Sequence, residues 1–165
     1  MPTATRPPTT RPPGGEHRPV GLSPESRRLA GFLLILLPTV AFGGTSILRL
    51  LIDDPAYMDN ELRRSLWRAG HAHAGVFLVL SLVALRYVDD AELSARWKAV
   101  VRHAVPAAAI LVPAAMFLSV LDADATEPNA LINLVYVGAV SLTVGLFTLG
   151  VGLLRTPHRN LPGGG

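Results

Sequence analysis

The sequence predicts an all-α protein, a four-transmembrane-helix bundle behind a disordered N-terminal tail. Three observations carry that expectation. Half of the 165 residues are apolar and only 16% are charged, against roughly 25% in soluble domains. Four long apolar stretches, 29–52, 69–88, 99–121 and 130–154, follow one another. Each reaches the ~20 residues that a helix rising ~1.5 Å per residue needs to cross ~30 Å of hydrocarbon. Ahead of them, residues 1–28 hold seven prolines among Thr, Gly and Arg.

Taken in order, the Pro/Arg-rich segment 1–28 lacks the apolar surface that offsets chain entropy, and it reads as a disordered cytoplasmic tail. The membrane domain then covers 29–155. Its first span begins beside Ser26-Arg27-Arg28-Leu29, which resembles a twin-arginine signal, but the apolar run continues through Ile47, Leu48, Leu50 and Leu51. An uncleaved anchor is expected, bent at Pro38. Asp59 is placed as the cap of a short surface helix bearing Leu62, Leu66 and Trp67, and Asp90 as the cap of another bearing Leu93 and Trp97. Pro106 and Pro113 should bend the third span. The fourth carries Gly138, Ser141, Gly145, Thr148 and Gly152 at spacings of 3 and 4. Such a small-residue seam lets backbones approach closely where lipid provides little drive for association. It serves packing inside the bundle or, as the alternative, a dimer. Residues 156–165 read as a flexible tail.

Charge sets the expected orientation. Eleven of the 15 Lys and Arg flank the tail, the second loop and the C-terminus, and only Arg49, Arg63, Arg64 and Arg68 lie on the other side. The positive-inside rule then puts both termini in the cytoplasm. The pI near 9.9 is accounted for by arginines beside anionic headgroups, and no nucleic-acid motif is present. Fourteen Arg against one Lys, with abundant Ala, Gly and Pro, suggests a GC-rich bacterial genome. The localisation that follows is a bacterial cytoplasmic membrane. Zero cysteines exclude disulfides, thiolate metal sites, thiol nucleophiles and cysteine-linked lipid anchors.

Ionisable groups inside apolar spans are candidates for function. Depth places Arg49, His71, His73, Asp122, Asp124 and Asn133 in one polar outer cup, with Met116 slightly deeper. His103 falls near the opposite boundary, of order 20 Å away across a ~30 Å core. His71, His73 and Met116 are the candidate metal ligands, with haem or copper as possible cofactors. The two histidines lie ~200° apart on an ideal helix, so one metal reaches both only if the helix unwinds at Gly70. Three roles stand open for them: hydrogen bonding to Arg49, Asn133, loop acids or headgroups; metal or haem ligation; and proton or substrate handling. No HExxH motif, nucleophile elbow or phosphate loop is present.

The stretch Gly70-His71-Ala72-His73-Ala74-Gly75, the preceding Leu66-Trp67-Arg68, and Thr126-Glu127-Pro128-Asn129 before a Gly-rich last helix resemble small bacterial four-helix integral membrane proteins of unassigned activity. The likeness runs from Leu29 to Arg155 and implies the fold without an activity. In fewer features the chain is similar to proteins related to hydroxylaminobenzene mutase and to the His-bearing helices of haem–copper oxidase subunits. The expected function is a structural, interaction or accessory membrane component. The alternatives are a redox protein binding metal or haem through His71 or His73, and a small transporter or proton-linked membrane enzyme. The expected partners are the lipid bilayer and a second copy or another membrane protein.

Overall fold

The computed structural model describes residues 21–155; the tail 1–20 and the C-terminal segment 156–165 lie outside the described residues. The elements are α1 (Pro24–Asp53), α2 (Pro55–Asp59), α3 (Glu61–Val88), α4 (Ala95–Leu118), a single 3-10 turn (Ala130–Asn133) and α5 (Leu134–Leu154). Four helices, the last including the 3-10 turn, are long and apolar enough to cross a membrane. Among the described residues the protein is therefore an all-α bundle of four helices fit to span a membrane. Successive spans run antiparallel. They create a foot, where α1 begins and the α3–α4 turn and the end of α5 meet, and a head, holding α2 and loop 119–129.

Several boundaries differ from those expected, each for a local reason. α1 begins at Pro24, inside the stretch read as tail. Proline suits the first helical turn because its missing N–H has no intrahelical partner there, and the Ser23 hydroxyl accepts from the Ser26 N–H at 3.2 Å. Asp59 does not cap a separate surface helix. Asp54 caps the short α2, accepting from Tyr57 N–H. Asn60 then caps α3, accepting from Arg63 N–H at 2.9 Å, so Leu62, Leu66 and Trp67 belong to the first turns of one 28-residue helix. Nor does Asp90 stand at the cap of α4: residues 89–94 form a turn, Ser94 takes the cap position before Ala95, and Asp90 pairs with Arg86 at 2.9 Å. At the far end of α4 the helix stops at Leu118, because Asn129 donates through its side chain to Leu118 O and through its N–H to Ser119 O.

Without water, backbone and hydroxyl groups must be satisfied within the protein. The hydroxyls of Thr45, Ser46, Ser81 and Thr143 each donate to the carbonyl four residues earlier. Thr39 donates to Leu36 O, next to Pro38, whose ring withdraws a backbone donor from that turn.

α4 is the centre of the bundle, packed against α3 on one side and α5 on the other. The α4–α5 contact is the tightest. A Cβ built on Gly138 would fall 2.5 Å from Val112 Cγ2, and one on Gly145 would fall 2.7 Å from Val105 Cγ2. Seven residues separate both members of these pairs, so two antiparallel helices meet in register through glycine on one side and valine on the other. Ser141 adds a hydrogen bond to Ala104 O at 2.9 Å. Gly152 finishes the series against Leu93 of the α3–α4 turn, where Glu92 N–H donates to Gly152 O. Val88, Val101, Val105 and Leu149 fill the core at this foot.

α1 is attached differently. It leans on α3 through Leu33, Leu78 and Leu85, and makes no comparable helix contact with α4 or α5. Phe32, Ile35, Phe42 and Ile52 are consequently about 70% exposed, at 67–73%. In a bilayer such residues face lipid without cost.

Replacing Gly145 by Leu forces a side chain into Val105 and should lower stability by about 1–3 kcal/mol. Gly150→Leu lies on the same helix with nothing within 4 Å of the new Cβ, and should leave thermal unfolding in detergent unchanged. Equal Tm losses in the two variants would contradict the packing described.

Candidate functional site

The residues of the expected outer cup all lie toward the head, yet their polar partners are local. Arg49 Nε sits 3.5 Å from Asp53 one turn along α1, with the two side chains 84% and 63% exposed. Asp122 accepts from Asp124 N–H inside the loop, and the Asn133 amide donates to Ala130 O.

The histidines divide between two environments. Gly70 faces α4, where a Cβ would fall 3.1 Å from both Met116 Cβ and the Phe117 ring. His71, one position on, turns toward α1 and rests in a notch made by Gly43 and Gly44. A Cβ on Gly44 would lie 2.8 Å from its Nε2. His73 Nδ1 lies 2.7 Å from Ala69 O, so that nitrogen carries the proton, and the ring meets Phe77 edge-on at 5.3 Å. Among the described residues, no three His, Asp or Glu side chains gather closely enough to hold a metal ion. The Gly138–Gly152 seam faces α4 and the α3–α4 turn within the same chain.

Beside this region the head holds an aromatic cluster. Trp67 lies 5.8 Å from Tyr57 and 5.8 Å from Phe117 between ring centroids, and the Arg63 guanidinium stacks 4.4 Å over Trp67. Tyr57 is fully buried. Burial pushes its hydroxyl pKa up, against the lowering fields of Arg63, Arg68 and Arg64. Tyr57 Oη, Arg63 Nε and Trp67 Nε1 are all buried with no hydrogen-bond partner among the described residues. Above the cluster, Asn60 donates to Ala123 O and Ala125 O while capping α3. One side chain thereby ties loop 119–129 to the start of a span.

The most concentrated electrostatic feature is at the foot. Arg102 of α4 is 9% exposed. Its Nε donates to Ser26 Oγ at 3.0 Å, and Nη2 donates to Ser23 Oγ at 3.2 Å and to Asp89 Oδ1 at 2.6 Å. Nη1 pairs with Glu25 at 3.0 Å. The second Asp89 oxygen accepts from Ser23 N–H at 2.8 Å, and Lys98 donates to the Asp89 carbonyl. Burial alone would raise the Asp89 carboxyl. The Ser23 N–H, the Arg102 guanidinium and the Ser26 and Ser23 hydroxyls outweigh it and hold the group below the usual carboxylate range. The exposed Glu25 arm adds little. The Asp89–Arg102 pair, 16% and 10% exposed, is different, because removing one partner strands the other away from water.

No protein-family model, curated protein or solved structure matches the chain. The chemistry of the site therefore rests on its own geometry. Arg102 binds three elements into one node: the cap of α1, the residue after α3, and α4. In the sequence Arg102 reads as one more loop cation and Ser26 as part of a twin-arginine-like stretch, and nothing singles out Asp89 or Ser23. The available signal was an Asp-Asp pair immediately after an apolar span, with an arginine inside the next span 13 residues after the first of the two.

Arg102→Ala should cost about 3 kcal/mol by leaving Asp89 unpaired, and Arg102→Lys should recover part of it, since an ammonium cannot serve the same fork of acceptors. Because folding lowers the Asp89 pKa, the stabilisation is complete above about pH 4 and is lost as pH falls through the folded-state value. Unfolding midpoints of wild type and Asp89→Asn should converge on acidification below that point; a gap independent of pH would contradict the assignment. Tyr57→Phe removes a buried hydroxyl that has no partner among the described residues, and its Tm should equal or exceed that of wild type. A loss of more than about 1 kcal/mol would reveal a bond the hydroxyl makes.

Proposed function

We propose that this integral membrane protein is a structural, interaction or accessory component of a bacterial cytoplasmic membrane, with both termini in the cytoplasm. The single observation that carries the reading is how its polar groups are used. His71 fills a glycine notch, His73 bonds its own helix, the span hydroxyls bond preceding carbonyls, and the Arg102 node secures the foot of α1. Along its spans the molecule offers apolar faces on α1 and α5, with Phe32, Ile35 and Phe42 on one and Tyr136, Val140 and Phe147 on the other. The orientation is supported by the eleven basic residues on the termini and second loop, against four on the other side.

A chain without cysteine allows a direct test. Single cysteines at Asp124 and Arg96 are labelled in intact cells with a membrane-impermeant maleimide. Labelling of Asp124→Cys alone supports the orientation, and labelling of Arg96→Cys alone reverses it. An absorption spectrum of the purified protein completes the test. A stoichiometric Soret band lost in His71→Ala or His73→Ala would replace the accessory reading with a haem-binding one.

A further inference from the structure

The foot holds a second feature that the helix-tying role of Arg102 does not use. Because α1 packs on α3 and not on α4, a groove of about 500 Å³ stays open between the start of α1 and the first turns of α4. That volume lies within the range of small-molecule clefts. Its polar lining is Arg28, Arg102, His103 and Glu25, and its apolar lining includes Leu29 and Ala99. Glu25, the acid among them, is engaged by Arg102 Nη1. Four of the five Arg102 N–H donors are committed to Ser26, Ser23, Asp89 and Glu25, so one remains. Arg28 has no polar partner among the described residues. His103 donates through Nδ1 to Ala99 O at 2.8 Å, and its Nε2 has no partner among the described residues.

We propose that this groove binds the phosphodiester headgroup of an anionic phospholipid. The chemistry requires a ligand with a negative, acceptor-only head and an apolar body. Arg28 and the spare Arg102 donor meet the head. The His103 ring lines the groove beside them. Leu29 and Ala99 lie at the first turns of two membrane spans, where the acyl chains of a lipid begin and where a free phosphate has nothing to contact. Basic pockets between spans are a recurrent setting for such headgroups. The assignment rests on the four-span reading but not on the side of the membrane that the foot faces.

The full chain is purified into nanodiscs of phosphatidylcholine containing phosphatidylglycerol in both leaflets, released, and its retained lipids are counted by native mass spectrometry at rising collision energy. One phosphatidylglycerol should survive after phosphatidylcholine has left. The double variant Arg28→Gln/His103→Gln should reduce its retention about tenfold. Arg27→Gln, which removes the same charge one residue away without lining the groove, should retain it as wild type does. Neither Arg28 nor His103 ties two helices together, and circular dichroism checks folding; Arg28→Gln alone serves if the double variant unfolds. Wild-type retention in the groove variants overturns the proposal, as does equal loss in Arg27→Gln, which would mark a diffuse surface charge. Displacement of the lipid by millimolar inorganic phosphate overturns the lipid as the source of the phosphate.

Discussion

Everything in this structure depends on how closely α4 and α5 approach. Between apolar helices in lipid, burial of apolar surface provides almost no net drive, and association comes from packing contacts and interhelical hydrogen bonds. Glycines at 138 and 145, facing Val112 and Val105, let the α5 backbone come within reach of α4, and Ser141 takes advantage of that proximity to bond Ala104 O. α4, fixed on this side, can then receive α3 on the other. Gly70 repeats the device at the head, where its missing Cβ makes room for Met116 and Phe117.

α1 follows a different logic. Its interface with α3 is a narrow leucine stripe, which by itself gives little to fix the position of a 30-residue helix. The ends provide what the stripe lacks. At the foot, Arg102 gathers Ser23, Ser26 and Asp89, so the α1 cap, the end of α3 and the body of α4 share one buried charge pair. Toward the head, the His71 imidazole enters the Gly43–Gly44 notch. The gap that remains between α1 and α4 is a consequence of this arrangement: held at α3 and pinned through Arg102, α1 cannot close against α4, and the cleft keeps its basic rim.

The fold was largely legible from residue type. Long apolar stretches define spans because backbone groups in hydrocarbon leave helix as the only choice, and the spacing of small residues on the last span shows on which face close packing occurs. Helix starts were less legible. Asp59 and Asp90 both look like caps, yet Asn60 and the 89–94 turn take those places, since several Asp, Asn and Ser residues crowd each junction and the one that caps is chosen by where the chain must turn. The polar site was least legible. His71 and His73 stand out in the sequence, but an imidazole's partner depends on helix rotation, and 100° per residue sends the first toward α1 and leaves the second on its own helix.

By itself the sequence determined that this protein is helical, that it has four spans, and that its last span has one face built for close approach. Those properties follow from length, hydropathy and side-chain size, which each segment carries regardless of its neighbours. The tertiary structure alone decided that the glycine face meets α4, that Asp89 and Arg102 share a proton-free carboxylate contact with the cap of α1, and that a basic groove remains between α1 and α4. Partners of this kind are fixed by the register and rotation of helices that are distant in sequence, and no local pattern encodes them.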